Sequence, residues 1–478
     1  MSFINVKIPH VFVLITGIIL LCCILSYFIP SGNYARESKT IGGVSRTVVI
    51  PGTYEKIEKY ATLRGILLGD KSEGKASPVS VLQFLTAIPR GMEEAASIIF
   101  FIFIIGGVFS ILQHTGTISA LIHYLLLHFK NSGFLLPILL MLIFSIGSTT
   151  IGMGEEYIAL IPIIIVVSRH LGYDRIFGVA IVLLAGGTGF AAATTNPFTV
   201  QIAQSIAEIP LVSGLLFRMI FYMCCMIIVI VNILKYGHRI RKNSTEEGTD
   251  DEILSDNQPS DQYKITKTHI SIIGICIIIF GFILFAVQTM GWWINEMSGG
   301  FILMGLISAL ISKLTLAETV RAFIQGLEEI VVAALVVGFA RGIQVVLIDG
   351  QIMDSIINSA ASLLQKLPKI VAVQGMLLFQ SILNFFIPSG SGQATVTVPL
   401  MAPLSDLIGV TRQTSVFAFT CGDGFSNAII PTNGVTMAML SLAKVPFEKW
   451  VRFAFPIFLQ LMALSAIFLA IAVVINYN

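Results

Sequence analysis

Three acidic side chains stand where acids are costly. Asp423 lies in Cys421-Gly-Asp-Gly-Phe-Ser-Asn427, deep in an apolar stretch, and Glu155 and Glu156 follow Gly152 and Gly154. A charged side chain at the centre of a bilayer costs about 2.5–3.5 kcal/mol on insertion scales, so its default reading is functional: it binds a cation or takes a proton. The bland alternatives are a structural Asp satisfied at a helix break and, for the two Glu, carboxylates that complement the free N–H groups of a helix start. Uncharged donors and acceptors accompany the acids: Ser148, Thr149, Thr195, Asn196, Ser389, Ser391, Gln393, Ser426, Asn427, Thr432 and Asn433. This set suits reversible binding of a small polar solute together with H⁺ or with Na⁺ near Asn196, Asp423 and Asn433. It does not suit catalysis. The seven histidines are scattered, and neither His-Glu-x-x-His nor Gly-x-Ser-x-Gly occurs. No metal centre or other cofactor is expected.

Four segments that carry these residues interrupt the helical pattern inside apolar surroundings. They are Ser145 to Glu156, Phe386 to Gln393, Gly186-Gly-Thr-Gly189 leading to Thr194-Thr-Asn-Pro197, and Cys421 to Asn427 leading to Pro431-Thr-Asn-Gly434. Glycine and proline there leave backbone N–H and C=O groups without helical partners, which is tolerated at membrane depth only where the groups line a cavity or bind something. Re-entrant tips and unwound helices that meet near the midplane are the expected substrate site. The bland reading of each segment is a kink or a tight packing contact. Glu93, Glu94, Glu328 and Glu329 read as a solvated face at the membrane surface, and Arg341, between apolar runs, needs an acidic partner.

The solvent of the chain follows from composition. Of 478 residues, 55% are hydrophobic and 12% charged, with a mean hydropathy of +0.88. Soluble chains carry roughly 25% charged residues, so membrane lipid is the surrounding that fits. The runs Val11–Phe28, Phe217–Leu234, Ile270–Val287 and Phe455–Ile475 approach the ~20 residues of a spanning helix, and the chain has room for about ten to twelve such segments. The first run is too long for a signal peptide's apolar region and lacks a small-residue cleavage site, so it reads as a retained helix. Cys22, Cys23, Cys224, Cys225, Cys276 and Cys421 all lie in apolar runs and read as small buried hydrophobes. A net charge of +2 with no basic patch gives no footprint for nucleic acid. Gly69-Asp-Lys-Ser-Glu-Gly-Lys75 approaches a phosphate loop, but Ala76 replaces the Ser or Thr it needs. Transport on gradients rather than on ATP is implied.

Two polar stretches organise the rest. Residues 31–78 mix both charge signs, and 235–267 open with Lys235, His238, Arg239, Arg241 and Lys242 before turning acidic. A basic cluster at the end of an apolar helix marks the cytoplasmic side, which makes the second stretch a cytoplasmic, disordered linker. Its two flanks repeat one another. Arg90-Gly-Met-Glu-Glu94 matches Gln325-Gly-Leu-Glu-Glu329, Gly107 matches Gly342, Leu171-Gly-Tyr-Asp-Arg175 matches Ile408-Gly-Val-Thr-Arg412, and Thr195-Asn196 matches Thr432-Asn433. The offsets stay nearly constant (325 − 90 = 235; 433 − 196 = 237). One helix precedes the first repeat, while two follow the linker, so the second repeat enters the membrane from the opposite side, as in secondary transporters. The expected fold is an all-α polytopic membrane protein of two inverted repeats with re-entrant hairpins and broken helices. Its parts are residues 1–79 (first helix and outer loop), 80–236 (repeat 1), 237–267 (linker), 268–314 (two connecting helices) and 315–478 (repeat 2).

At these motifs the chain resembles the YfcC family of basic amino acid antiporters, grouped with the C4-dicarboxylate anaerobic carriers of the ion transporter superfamily. The matching stretches are Thr115-Gly-Thr-Ile118, Gly152-Met-Gly-Glu-Glu156, Asn196-Pro-Phe198, Asn384-Phe-Phe386, Ser389-Gly-Ser-Gly-Gln-Ala394 and Gly422-Asp-Gly-Phe-Ser426, and the likeness covers nearly the whole chain. It implies a scaffold domain, a moving transport domain, a homodimer and an elevator-type mechanism in the cytoplasmic (inner) membrane. Ile430-Pro-Thr-Asn433 and Thr194-Thr195 depart from the family pattern at the site itself, so the substrate does not transfer automatically. Excess acid (Glu155, Glu156, Asp423, no nearby Lys) favours a cationic solute, with arginine/ornithine-type antiport the first expectation. A Na⁺- or H⁺-coupled C4-dicarboxylate carrier is the alternative, with the acids holding the ion and Ser, Asn and helix N-termini holding the carboxylates. A channel would need a continuous polar pore instead, and an intramembrane enzyme lacks its constellation.

Overall fold

The computed structural model describes residues 11–41, 44–69, 75–118, 120–121, 135–150, 152–244, 265–290, 292 and 294–478. Nearly all regular structure is helical. Among the described residues, five helices are long and apolar enough to cross a membrane, and five shorter apolar helices accompany them. The four long apolar runs all fold as helices: α1 (Val11–Phe28), α9 (Leu215–Ser244), α10 (Lys267–Thr289) and α18 (Phe447–Val474). Their exposed residues recur at helical spacing, as with Met223, Ile227 and Val231 on α9 and Ile467 and Ile471 on α18. Such a face suits lipid rather than water. The basic cluster at Lys235 to Lys242 rides on α9, which stays helical to Ser244. The linker therefore starts later than the charge pattern suggests, and its remainder, 245–264, lies outside the described residues.

One helical group is built around two long segments. α3 (Val81–Glu94) and α4 (Ala96–His114) run as one rod interrupted only at Ala95, and α12 (Leu316–Asp349) is a continuous helix of 34 residues. Both start on capping boxes, Ser80 with Gln83 and Thr315 with Glu318, which satisfy end N–H groups. The two rods cross with their backbones in contact. A Cβ on Gly91 would lie 2.5 Å from Gly338 O, and one on Gly326 would lie 2.2 Å from Gly106 O. Only glycine fits at such a distance, so these positions fix the crossing. α1 packs on α12, and α11 (Ile294–Ile311), reached from α10, packs on α4.

The second group joins α5 (Leu135–Thr150) to α7 (Arg175–Ala191), and α14 (Lys369–Asn384) to α16 (Arg412–Ser426). Asp174 caps α7 and Thr411 caps α16. These pairs also touch at glycine: a Cβ on Gly189 would lie 2.2 Å from Ser145 O, and one on Gly422 would lie 2.7 Å from Leu377 O. Two expectations shift here. Gly186 to Gly189 is continuous helix within α7, and Cys421 to Ser426 is continuous helix within α16. The breaks come later, at 192–199 and 427–433. Glycine in the two runs allows close packing, and the chain unwinds where Asn-Pro and Pro-Thr-Asn follow.

The 31–78 loop departs from an all-α fold. β1 (Ser31–Asn33) pairs with β4 (Glu55–Ile57), and β2 (Arg36–Ile41) with β3 (Val44–Val49), both antiparallel. Arg36 grips Asp354, on α13 (Met353–Leu364), at 2.8 and 2.9 Å. Burial, reinforced by the Asp354 carboxylate, pushes the Tyr34 phenol up to about 12, so its hydroxyl stays a donor to Asn358 at 2.9 Å. At the other edge, Val48 packs with Val200, Ala394 and Val398.

Candidate substrate site

Between the two groups lies a cavity of about 360 Å³, within the range of small-molecule sites. The first half supplies the chain after α5. Gly152 has φ +81°, and a Cβ there would meet Asn196 Oδ1 at 2.5 Å, so the turn requires glycine. It delivers Glu155 and Glu156 at the start of a short 3₁₀ helix (Glu155–Leu160) that leads into α6 (Ile161–His170). Glu156 is buried, and its Oε2 accepts from Gly154 N at 2.9 Å. Glu155 is half-buried. Both line the cavity. So does Ser148, whose hydroxyl donates to Met153 O at 2.8 Å.

Thr149, Thr195 and Asn196 do not line it. They stitch the unwound 192–199 segment to the end of α5. Thr149 Oγ1 donates to Ala192 O at 3.0 Å and Thr195 Oγ1 to Thr150 O at 3.2 Å. Asn196 Nδ2 donates to Ser148 O at 3.3 Å, and its Oδ1 accepts from Phe198 N at 2.8 Å. Their hydrogen bonds here go to backbone groups.

The breaks of the second half present an uncharged face. Ser389 caps α15 (Gly390–Ile408), and Pro388 to Ser391 line the cavity. From the 427–433 break come Asn427, Thr432 and Asn433. Asn433 caps α17 (Gly434–Leu442), accepting from Thr436 N at 2.9 Å and donating to Asn427 Oδ1 at 2.8 Å. Thr432 Oγ1 is buried without a hydrogen-bond partner among the described residues. Ser426 and Gln393 lie behind the lining. Ser426 Oγ donates to Gly422 O at 2.8 Å, and Gln393 Nε2 donates to Gln380 Oε1 at 2.7 Å while its own Oε1 has no partner among the described residues.

Asp423 is fully buried, and neither carboxylate oxygen has a hydrogen-bond partner among the described residues. It sits behind the cavity, on intact helix rather than at a break, with Oδ2 3.2 Å from where a Cβ of Gly390 would lie. The carboxylate thus abuts the first turn of α15. Among Asn196, Asp423 and Asn433, only Asp423 keeps free oxygens, because backbone amides occupy both Asn oxygens. Among the described residues no group of three or more His, Cys, Asp or Glu side chains is placed to hold a metal ion.

The structure adds a pair that sequence reading leaves apart. Glu94 and Arg341 both line the cavity, with Arg341 Nε 3.1 Å from Glu94 Oε2. Glu94 is therefore no lipid-surface acid, and Arg341 has found its partner. The cue is the unexplained cation itself, but the contact spans 247 residues and requires the Gly91–Gly338 crossing. Glu328 is exposed, and the side chain of Glu329 lies outside the described residues. Of the lining residues, Glu94, Glu155 and Glu156 are acidic and Arg341 alone is basic.

Comparison with known proteins places the chain in a family. Residues 8–474 match the C4-dicarboxylate anaerobic carrier (DcuC) family. The chain belongs to that family. It is 31% identical, across 98% of its length and 97% of the relative's, to the Escherichia coli protein named "Putative basic amino acid antiporter YfcC". A Haemophilus influenzae protein of uncharacterised function is 27% identical across 97% of each chain. Of solved structures, the Alcanivorax borkumensis YdaH transporter aligns over 98% of this chain and 99% of its own at 15% identity and a TM-score of 0.45. Neisseria gonorrhoeae MtrF aligns over 98% and 96% at 17% identity and a TM-score of 0.43. The family assignment and the apolar helices make the chain a transporter, multi-pass in the inner membrane.

Proposed function

We propose that this carrier exchanges basic amino acids, in the manner of arginine/ornithine antiport. The observation that carries the reading is the charge of the cavity: three carboxylates, Glu94, Glu155 and Glu156, against the single guanidinium of Arg341. A cationic solute is attracted to such a site, and the name of its Escherichia coli relative points the same way. Glu155 and Glu156 take the solute's cationic side chain. Ser148, Ser389, Ser391, Asn427, Thr432 and Asn433 offer hydrogen bonds around it. Thr149, Thr195, Asn196, Gln393 and Ser426 hold the breaks in shape, and Asp423 serves a coupling proton or Na⁺. A buried carboxylate with no partner is costly, and a proton or cation beside it would offset that cost.

We read the motion as an elevator built on two inverted repeats, the repeats being 80–236 and 315–478. The glycine crossing supports the repeat. Gly91 meets Gly342 N, while Gly326 meets Gly106 and Gly107. Shifting either contact by 235 residues (326 − 91 = 235; 342 − 107 = 235) turns it into the other. The group containing α5, α7, α14 and α16 would move against the α3–α4 and α12 rods, within a homodimer. Crosslinking in membrane vesicles tests the dimer.

A second reading has its own support in Asp423 and the tip of α15. The N–H groups of a helix start bind carboxylates, and Asp423 behind them would hold Na⁺ or H⁺, as a dicarboxylate symporter needs. Counterflow in proteoliposomes separates the two. Arginine uptake that requires internal ornithine establishes the antiporter. Succinate uptake that requires an ion gradient, with no arginine flux, overturns it.

A further inference from the structure

We propose that the Glu94–Arg341 pair is the receptor for the head group of the substrate, taking its α-carboxylate on Arg341 and its α-ammonium on Glu94. The inference rests on the reading of the chain as an amino acid carrier and adds which residues recognise the amino acid as such. The pair lines the cavity and is joined by one contact, Arg341 Nε to Glu94 Oε2 at 3.1 Å. The side chains are 35% and 38% exposed. A guanidinium carries five donors in a planar fork that matches a carboxylate bidentately. Here the hydrogen bond to Glu94 runs through Nε, and the two terminal nitrogens donate none to protein among the described residues, so they are left for a solute.

Placement favours recognition over simple bracing. Arg341 sits between Gly338 and Gly342, the residues that meet Gly91 and Met92 at the crossing of α3 and α12. The backbones under both charges are fixed by contact, so the separation of the two charges is preset. Preorganised charged groups lose little freedom on binding. An amino acid head group presents an anion and a cation side by side, and so does this pair with the polarity reversed. Insertion of the head group exchanges one ion pair for two and leaves the charge of that end neutral. Glu155 and Glu156 remain for the side-chain cation. A diamine lacking the carboxylate would leave the Arg341 fork empty.

The test uses full-length protein in proteoliposomes preloaded with ornithine, with labelled arginine as solute and unlabelled arginine or agmatine as competitor. Agmatine keeps the guanidinium and lacks the carboxylate. Sites built to hydrogen-bond a group reject analogues without it by large factors, so wild type should prefer arginine by about 100-fold or more. In Arg341→Gln the preference should collapse to within about tenfold, because arginine loses its anchor and agmatine loses nothing. Glu94→Gln with Arg341→Gln removes both charges at nearly constant shape and should also lose the preference. Arg341→Lys keeps charge without the fork and should fall between. A wild type that takes agmatine as well as arginine overturns the proposal without any variant. So does a variant set in which both solutes weaken equally, the behaviour of a brace. Absence of arginine counterflow in wild type, with succinate carried instead, overturns the amino acid reading and this inference together.

Discussion

The two halves bring matching breaks to one cavity and equip them differently. After α5, the first half delivers Glu155 and Glu156 to the lining, with Asn196 spent on backbone behind them. Before α15 and after α16, the second half delivers Ser389, Ser391, Asn427, Thr432 and Asn433, with its acid, Asp423, withdrawn behind Gly390. The breaks of the two halves therefore share a cavity but not a charge. In our reading the acidic face selects the cation of the solute, the neutral face orients it, and the withdrawn acid serves the coupling ion.

The largest expected effect tests the acidic face. Glu155→Gln with Glu156→Gln should cut arginine counterflow by about 100-fold or more, since hydrogen bonds to charged groups contribute about 1.5–3 kcal/mol each and 1.4 kcal/mol is tenfold. The matched change on the neutral face, Ser389→Ala with Ser391→Ala, should cost about 30-fold, at the scale of about 1 kcal/mol for each of two neutral hydrogen bonds. Equal losses would break the comparison. Next comes the withdrawn acid. Asp423→Asn should leave arginine binding within about threefold of wild type while uptake falls by about tenfold or more, a separation of binding from turnover. Unchanged uptake would remove Asp423 from the coupling role.

Much of this is legible in the sequence, because membrane burial writes strong signals. Apolar runs mark the long helices, and Gly-Pro-Asn clusters mark the cavity-lining segments. The breaks lie a few residues beyond Gly186–Gly189 and Cys421–Ser426, where the pattern puts them. Glycine that leaves room where a Cβ would lie 2.2 Å from a carbonyl oxygen, as at Gly189, looks the same in sequence as glycine that unwinds a helix. Six of the fourteen singled-out side chains (Thr149, Thr195, Asn196, Gln393, Asp423 and Ser426) stand behind the lining rather than on it. Residue type shows that a polar atom must be satisfied. It does not show whether backbone or solute satisfies it. The Glu94–Arg341 contact depends on a helix crossing, which no local pattern encodes, and the β-strands of the 31–78 loop escape sequence reading because mixed-charge segments carry little periodicity.

Glycine chemistry sharpens the comparison at the level of stability. Gly152→Ala places a side chain at φ +81° and 2.5 Å from Asn196 Oδ1, and should cost about 1–3 kcal/mol, the scale of a strained backbone position. Gly187→Ala, with no neighbouring atom within 4 Å of the new Cβ, should be neutral or stabilise by up to about 1 kcal/mol through helix propensity. Thermal unfolding in detergent reads both. Equal shifts would mean that the turn at Gly152 relaxes.

The smallest effect concerns how firmly each tip of the neutral face is held. Asn433 makes two hydrogen bonds at its cap, accepting from Thr436 N at 2.9 Å and donating to Asn427 Oδ1 at 2.8 Å. Ser389 makes one, accepting from Gly392 N at 3.3 Å. Loss of a capping side chain costs about 0.5–2 kcal/mol, so Asn433→Ala should sit near the top of that range and Ser389→Ala near the bottom. The same thermal assay ranks them. The expected order means that the start of α15 is the looser edge of the cavity, the edge a solute can draw inward. The reverse order would mean that the 427–433 break adapts instead, and the orienting role would pass from Ser389 and Ser391 to Thr432 and Asn433.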